Sequence, residues 1–149
     1  MTKQELFEIN QCALEFRHAL DEIDKKQLAC NYRRFPTGTC GITSYMLCEY
    51  LAENGHKDFN YVCGQKGEQT HAWLEKDGTI IDITSDQFPD GTPVYVGDIN
   101  EFYQRFTVNP RFTHGMIDSR GVQHSILQGD MLWMYPRIID QIYKNAKET

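Results

Sequence analysis

Residues 70–84 read THAWLEKDGTIIDIT, and this stretch decides the predicted fold. Polar and apolar side chains alternate on both sides of Asp77-Gly78, which is typical of two antiparallel strands joined by a tight turn. The period of two places His71 and Trp73 on one face of the first strand. Asp82 lies on the return strand, on the face opposite to that of its isoleucine neighbours. The stretch therefore predicts a hairpin that carries two ionisable groups, a histidine and an aspartate.

The length of the hairpin loop decides whether His71 and Asp82 meet. A two-residue loop at Asp77-Gly78 makes them diagonal neighbours on one face, and a four-residue loop at residues 75–78 sets them directly opposite each other. A three-residue loop would place them on opposite faces. Both even-length loops bring the imidazole and the carboxylate within reach, and the residues do not decide between them.

The segments before the hairpin predict helices. In residues 4–28 apolar side chains recur at spacings of three and four, and no Gly or Pro interrupts the pattern. Residues 30–39 contain both Pro and Gly and predict a loop. A second helix is expected over residues 40–53, with Thr39 as its N-cap and Asn54-Gly55 at its end.

The rest of the chain is expected to complete an α+β fold. The remaining predicted elements, in chain order, are a strand at 59–63, a turn at 64–67, a strand at 92–96 and a helix at 126–147. Residues 101–123 are ambiguous, and Pro136 either kinks the last helix or starts another. Helices, an antiparallel meander and a helical tail predict a single α+β domain over residues 1–149, with N-terminal helices packed on the sheet.

Composition and charge narrow the class of function. The formal net charge is -6, and a phosphate backbone is recognised by clustered Lys and Arg, so no nucleic-acid partner is expected. Residues 1–8 carry acidic side chains and do not resemble a secretory signal. No apolar run reaches the length of a membrane span. The expected location is the cytoplasm, with no membrane partner, and the oligomeric state is not predicted.

The five cysteines do not form a recognisable framework. Their odd number and the lack of a C-x-x-C pair argue against disulfides and a zinc ribbon. Most of them are expected to be small buried side chains, Cys12, Cys48 and Cys63 among them. The histidines without a convincing spacing pattern are His18, His56, His114 and His124. Zinc binds histidine, aspartate and cysteine, but no second clustered histidine accompanies His71, so no metal or cofactor is expected.

Cys40 has neighbours that a core cysteine does not need. It stands at the predicted start of a helix, between glycines at positions 38 and 41. The helix dipole and the free N–H groups of the first turn stabilise a thiolate and can hold the oxyanion formed when a carbonyl is attacked. His71 would take the thiol proton and Asp82 would fix the imidazole tautomer. Two interpretations are open for Gln65, Asp86 and Gln87: they belong to such a site, or they are polar only because loops are usually polar.

The order of these motifs resembles a known superfamily. Residues 38–41 (Gly-Thr-Cys-Gly), 70–75 (Thr-His-Ala-Trp-Leu-Glu) and 78–82 (Gly-Thr-Ile-Ile-Asp) are similar to the transglutaminase-like branch of the papain-like cysteine enzymes. The likeness extends to bacterial transglutaminase-like peptidases, including those that cut the leaders of lasso peptides, and covers about residues 36–88. Arylamine N-acetyltransferases share the order Cys, His, Asp, but their Arg-Gly-Gly before the cysteine is replaced here by Thr-Gly-Thr.

The resemblance implies a thiol enzyme with Cys40 as nucleophile, His71 as base and Asp82 as orienter. Hydrolysis of a peptide or protein substrate is the first expectation. Glutamine deamidation and acyl transfer to an amine use the same three residues and remain alternatives. A non-catalytic binding module on the same fold is an answer of another class, and a redox sensor at Cys40 is a third.

Overall fold

The structure is a computed structural model that describes residues 1–115 and 128–148. Its helices are α1 (Lys3–Glu22), α2 (Cys40–Glu53), α3 (Glu101–Gln104) and α4 (Gln128–Lys147). Its strands are β1 (Asn60–Lys66), β2 (Gln69–Lys76), β3 (Thr79–Asp82), β4 (Tyr95–Asp98), β5 (Thr107–Val108) and β6 (His114–Gly115). Short 3-10 turns occur at Lys25–Gln27, Cys30–Arg34 and Ser85–Gln87.

The strands form one antiparallel sheet with helices packed on it. In the described part of the chain its order is β4-β3-β2-β1-β5, and β6 also pairs with β1. One face packs against α1 and α2, and α4 packs on these two helices, so that all three contribute to the larger core. The other face, with α3, holds a smaller and mainly aromatic cluster. The predicted α+β class, with helices on an antiparallel sheet, is therefore confirmed.

The helices in the described part of the chain are not candidate membrane spans. None of them combines the length and the hydropathy that crossing a bilayer requires.

The β2–β3 hairpin has the two-residue loop. Lys76 pairs with Thr79, and both intervening residues have a left-handed backbone, with φ of 51° at Asp77 and 77° at Gly78. Asp tolerates this conformation and Gly adopts it freely, which explains the Asp-Gly pair. His71 and Asp82 are therefore diagonal neighbours on one face, and the four-residue alternative is wrong.

Both N-terminal helices form, with one wrong boundary. α2 begins and ends where the sequence predicts. Thr39 occupies its N-cap position, but its hydroxyl donates to the Pro36 carbonyl at 2.8 Å and does not cap the helix. α1 ends at Glu22, not at residue 28, because Ile23 is extended and Asp24 caps a separate 3-10 turn.

The remaining strand and helix boundaries differ in places from those that the local sequence pattern predicts. Residues 64–66, predicted as a turn, belong to β1, because Gly64 and Gln65 pair with β2 on one side and β5 on the other. The return strand ends at Asp82, two residues early, and the strand predicted at 92–96 is shifted to Tyr95–Asp98. α4 contains Pro136 within one helix. The predicted start of that helix at residue 126, and residues 116–123 of the ambiguous region, lie outside the described residues.

The expectation that most cysteines are buried is wrong. Cys12 and Cys48 are core residues, as predicted, but Cys63 is only half-buried and Cys30 is exposed. Cys63 differs because its strand lies near the edge of the sheet, where β5 covers only two residues. Cys40 is also half-buried, so it is not a fully buried core residue.

Candidate functional site

Cys40 is the first residue of α2 and lies against an uncovered edge of β2. The pairing of β3 with β2 stops at Leu74, so β3 does not cover the edge at His71 and Ala72. The first turns of α2 occupy this place. The Ala72 N–H donates a hydrogen bond to the Cys40 sulfur, and the Ser44 hydroxyl lies 3.5 Å from the Ala72 carbonyl oxygen. These contacts hold the thiol beside the His71 ring.

His71 and Asp82 form a closely coupled buried pair. The distance from His71 Nε2 to Asp82 Oδ2 is 2.6 Å, and the two residues are 0% and 2% exposed. The carboxylate accepts three further hydrogen bonds, from the Tyr103 hydroxyl at 2.9 Å and from the N–H and hydroxyl of Thr84 at 3.0 and 3.4 Å. A buried carboxylate is stable only when its oxygens are satisfied in this way. With Nε2–H directed at Asp82, Nδ1 is the ring nitrogen left for the other partners of His71, which are Cys40 and Gln87.

Gln87 is one of those partners. Its Nε2 lies 3.1 Å from His71 Nδ1 and 3.2 Å from the Thr84 carbonyl oxygen. In the neutral imidazole Nδ1 is an acceptor, so the Gln87 amide can donate to it. When Nδ1 carries a proton it becomes a donor, and the amide must present its oxygen instead.

Arg17 of α1 fixes the loop that carries Gln87. Its guanidinium makes a two-pronged ion pair with Asp86, at 2.7 and 2.8 Å, and donates to the Ile83 carbonyl at 2.8 Å. Arg17 is 8% exposed and Asp86 is half-buried, so this pair is partly shielded from water. The fork geometry of a guanidinium fits a carboxylate with both nitrogens. The segment that follows Asp82 is thus anchored to the first helix.

Aromatic rings surround His71 on the second face of the sheet. Ring centroids of Phe88, Phe102, Phe106 and Trp73 lie between 5.2 and 6.2 Å from that of the imidazole. Trp73 is 2% exposed, which supports the prediction that it is a packing residue. This apolar shell removes water from the imidazole and strengthens every charge interaction that it makes.

The electrostatics of the site favour a charge-separated pair. Burial lowers the pKa of the His71 imidazole, but the Asp82 carboxylate and then Cys40 raise it, and the net pKa is about 9. Burial raises the pKa of the Cys40 thiol, but the hydrogen bond and charge of His71 and the Ala72 N–H lower it, and the net result is a lowered pKa. Both shifts act in the same direction, toward a thiolate beside an imidazolium.

The structure brings together the three residues that the sequence singled out, Cys40, His71 and Asp82. Gln87 also lies at this site, whereas Asp86 serves the Arg17 clamp and Gln65 is exposed on β1. Of the other histidines, His56 lies near Glu8, His18 is exposed and His114 bonds Tyr45. His124 lies outside the described residues.

Sequence reasoning missed Tyr103 and Arg17. Tyr103 falls in the ambiguous stretch, and Arg17 sits among the other polar residues of α1, so neither carried a signal. Within residues 1–115 and 128–148, no group of three or more His, Cys, Asp or Glu side chains is arranged to hold a metal ion.

Comparisons of this chain with protein-family profiles, curated proteins and solved structures find no match.

Proposed function

We propose that this protein is a cysteine-dependent enzyme that cleaves or transfers an amide or acyl group. The observation that carries the proposal is the continuous contact from Cys40 through His71 to Asp82, with the Cys40 pKa lowered despite burial. A buried thiol without a function would have a raised pKa, as Cys12 has at about 11. The resemblance to transglutaminase-like cysteine enzymes, with Cys40 as nucleophile, His71 as base and Asp82 as orienter, belongs to this proposal.

The proposed reaction follows from these positions. The Cys40 thiolate attacks the carbonyl carbon, a C–S bond forms, and the carbonyl electron pair moves to oxygen. When the tetrahedral intermediate collapses, the C–N bond breaks and the His71 imidazolium gives its proton to the leaving amine. Asp82 keeps the ring oriented and stabilises its positive charge. Water, activated by the neutral His71, or an amine then releases the acyl group.

Hydrolysis of a peptide or protein is the first choice of substrate chemistry. Glutamine deamidation and acyl transfer to an amine would use the same steps with another nucleophile or leaving group. Incubating the protein with a mixed peptide library and a primary amine, with mass spectrometry of the products, separates the three chemistries. Products that also arise with Cys40→Ala, or none at all, would favour the binding module over the enzyme.

The activation of Cys40 is tested by alkylation with iodoacetamide over a range of pH, with intact-mass readout. We expect labelling of Cys40 with an apparent pKa below the roughly 8.5 of a free thiol. His71→Ala should move that pKa upward, and Cys40→Ala should abolish the fast phase. Cys63→Ala is the matched control, because burial and the neighbouring Cys40 raise the pKa of the Cys63 thiol. Labelling of Cys40 that is unchanged in His71→Ala would refute the coupling.

A further inference from the structure

The hydroxyl of Tyr61 lies at the N-terminus of α2, beside Cys40. Tyr61 is on β1, and its ring stacks on that of Tyr45 with centroids 4.6 Å apart and planes 12° from parallel. A Cβ atom added to Gly41, the residue after Cys40, would lie 3.2 Å from the Tyr61 hydroxyl oxygen. Any other residue at position 41 would therefore press on that hydroxyl. The glycine allows the phenol to reach the first turn of the helix.

The Tyr61 hydroxyl differs from those of the other half-buried and buried tyrosines in having no hydrogen-bond partner among the described residues. The half-buried or buried tyrosines whose hydroxyls make a hydrogen bond are Tyr32, Tyr45, Tyr50, Tyr95, Tyr103 and Tyr135. Unpartnered side-chain polar atoms that are sealed from solvent in this part of the chain are Trp73 Nε1 and Asn145 Nδ2. The Tyr61 hydroxyl is not among them, so it is not sealed from solvent.

The phenol is a neutral donor. Burial and then the Cys40 thiolate raise its pKa above the ordinary value, so it keeps its proton wherever the thiolate is present. A neutral hydroxyl with no internal acceptor, held by ring stacking next to a nucleophile, is preorganised for a negative charge that appears during reaction.

We propose that the Tyr61 hydroxyl is the oxyanion-hole donor of this protein, a role that rests on the proposed function. When Cys40 Sγ bonds to the carbonyl carbon, the electron pair of the C=O π bond moves to oxygen. The Tyr61 O–H donates a hydrogen bond to that oxygen, together with backbone N–H groups of the first turn of α2. No proton is transferred, and the hydrogen bond weakens again when the carbonyl re-forms and the leaving group departs with the proton from His71.

The test compares two reactions of the Cys40 thiolate, of which one forms an oxyanion. Acylation by p-nitrophenyl acetate passes through a tetrahedral oxyanion, whereas alkylation by iodoacetamide displaces iodide at a saturated carbon and forms none. Tyr61→Phe removes the hydroxyl and keeps the ring. We expect its acylation rate to fall roughly a hundredfold, the usual effect of losing one oxyanion donor, with the alkylation rate unchanged. Tyr50→Phe, which removes a hydroxyl bonded to Glu15, should leave both rates as in wild type.

Each other outcome overturns the assignment in a distinguishable way. Equal acylation of wild type and Tyr61→Phe would show that the hydroxyl does not hold the oxyanion. An equal loss of acylation and alkylation would assign Tyr61 to packing or to stabilising the thiolate. Wild-type acylation no faster than that of Cys40→Ala would refute the proposed function itself, and the role of Tyr61 with it.

Discussion

Replacing Asp82 by Asn should remove the charge that keeps His71 protonated. Asn has nearly the same volume and no charge, and its one amide oxygen can still accept from His71 and Tyr103, while its amide nitrogen faces the Thr84 donors. Asp82 is the first of the groups that raise the pKa of His71, which burial alone would lower. We therefore expect the His71 pKa to fall from about 9 in wild type to below the ordinary 6.5 in Asp82→Asn.

The same pKa links the stability of the fold to pH. Folded His71 binds its proton more tightly than the unfolded chain does, so this contribution to stability is fully present below pH 6.5 and is lost as the pH rises to about 9. At about 1.4 kcal/mol per pH unit, the loss amounts to at most about 3 kcal/mol. The lowered Cys40 pKa acts oppositely, adding stability as the thiolate forms, so the experiment belongs in a Cys40→Ser background. There the His71 pKa lies below its wild-type value, because Cys40 no longer raises it, and the loss of stability is correspondingly smaller.

Two measurements check this prediction. NMR titration of labelled histidine gives the His71 pKa, and urea denaturation at several pH values between 6 and 9.5, a range that brackets the expected titration, gives the free energy of unfolding. We expect the free energy of unfolding of the Cys40→Ser protein to decline as the pH rises, and Asp82→Asn to remove most of this decline. Asp140→Asn, the same change at an exposed position on α4, is the control and should keep the decline. A His71 pKa near 9 that survives Asp82→Asn would refute the reasoning.

Three further substitutions test the frame around the site, each by urea denaturation. Tyr103→Phe removes the hydroxyl that donates to Asp82 and should lower the free energy of unfolding by about 1–3 kcal/mol; no change would mean that water replaces it. Arg17→Met breaks a part-buried ion pair and should lower the free energy of unfolding by about 1–3 kcal/mol; Arg17→Lys, which lacks the fork, should not restore it. Gly64→Ala should lower the free energy of unfolding by about 1–3 kcal/mol, because its Cβ would lie 2.7 Å from Phe106 Cβ. An unchanged free energy of unfolding would show that Phe106 can move away.

The sequence predicted those parts of the fold that local rules specify. A period of two and an Asp-Gly turn predicted the β2–β3 hairpin and kept His71 and Asp82 on one face. The loop before Cys40 and the apolar pattern after it predicted α2 to the residue. The predicted end of β1 was wrong in part because Gly64 and Gln65 also pair with β5, which lies far along the chain.

The candidate site was predicted as a set of residue types and was assembled only by the tertiary structure. No rule of sequence spacing relates Cys40 to His71, because their meeting depends on α2 packing against the uncovered edge of β2. Tyr61 and Arg17 lie in a predicted strand and a predicted helix, and Tyr103 lies in the ambiguous stretch, but nothing in the sequence marked any of these three side chains as part of the site. The sequence by itself thus determined the backbone conformation and the face of each strand on which a side chain lies. Neighbouring residues control both through sterics and turn geometry. The tertiary structure decided burial, hydrogen-bond partners and pKa values, because these depend on groups that only the packed fold brings together.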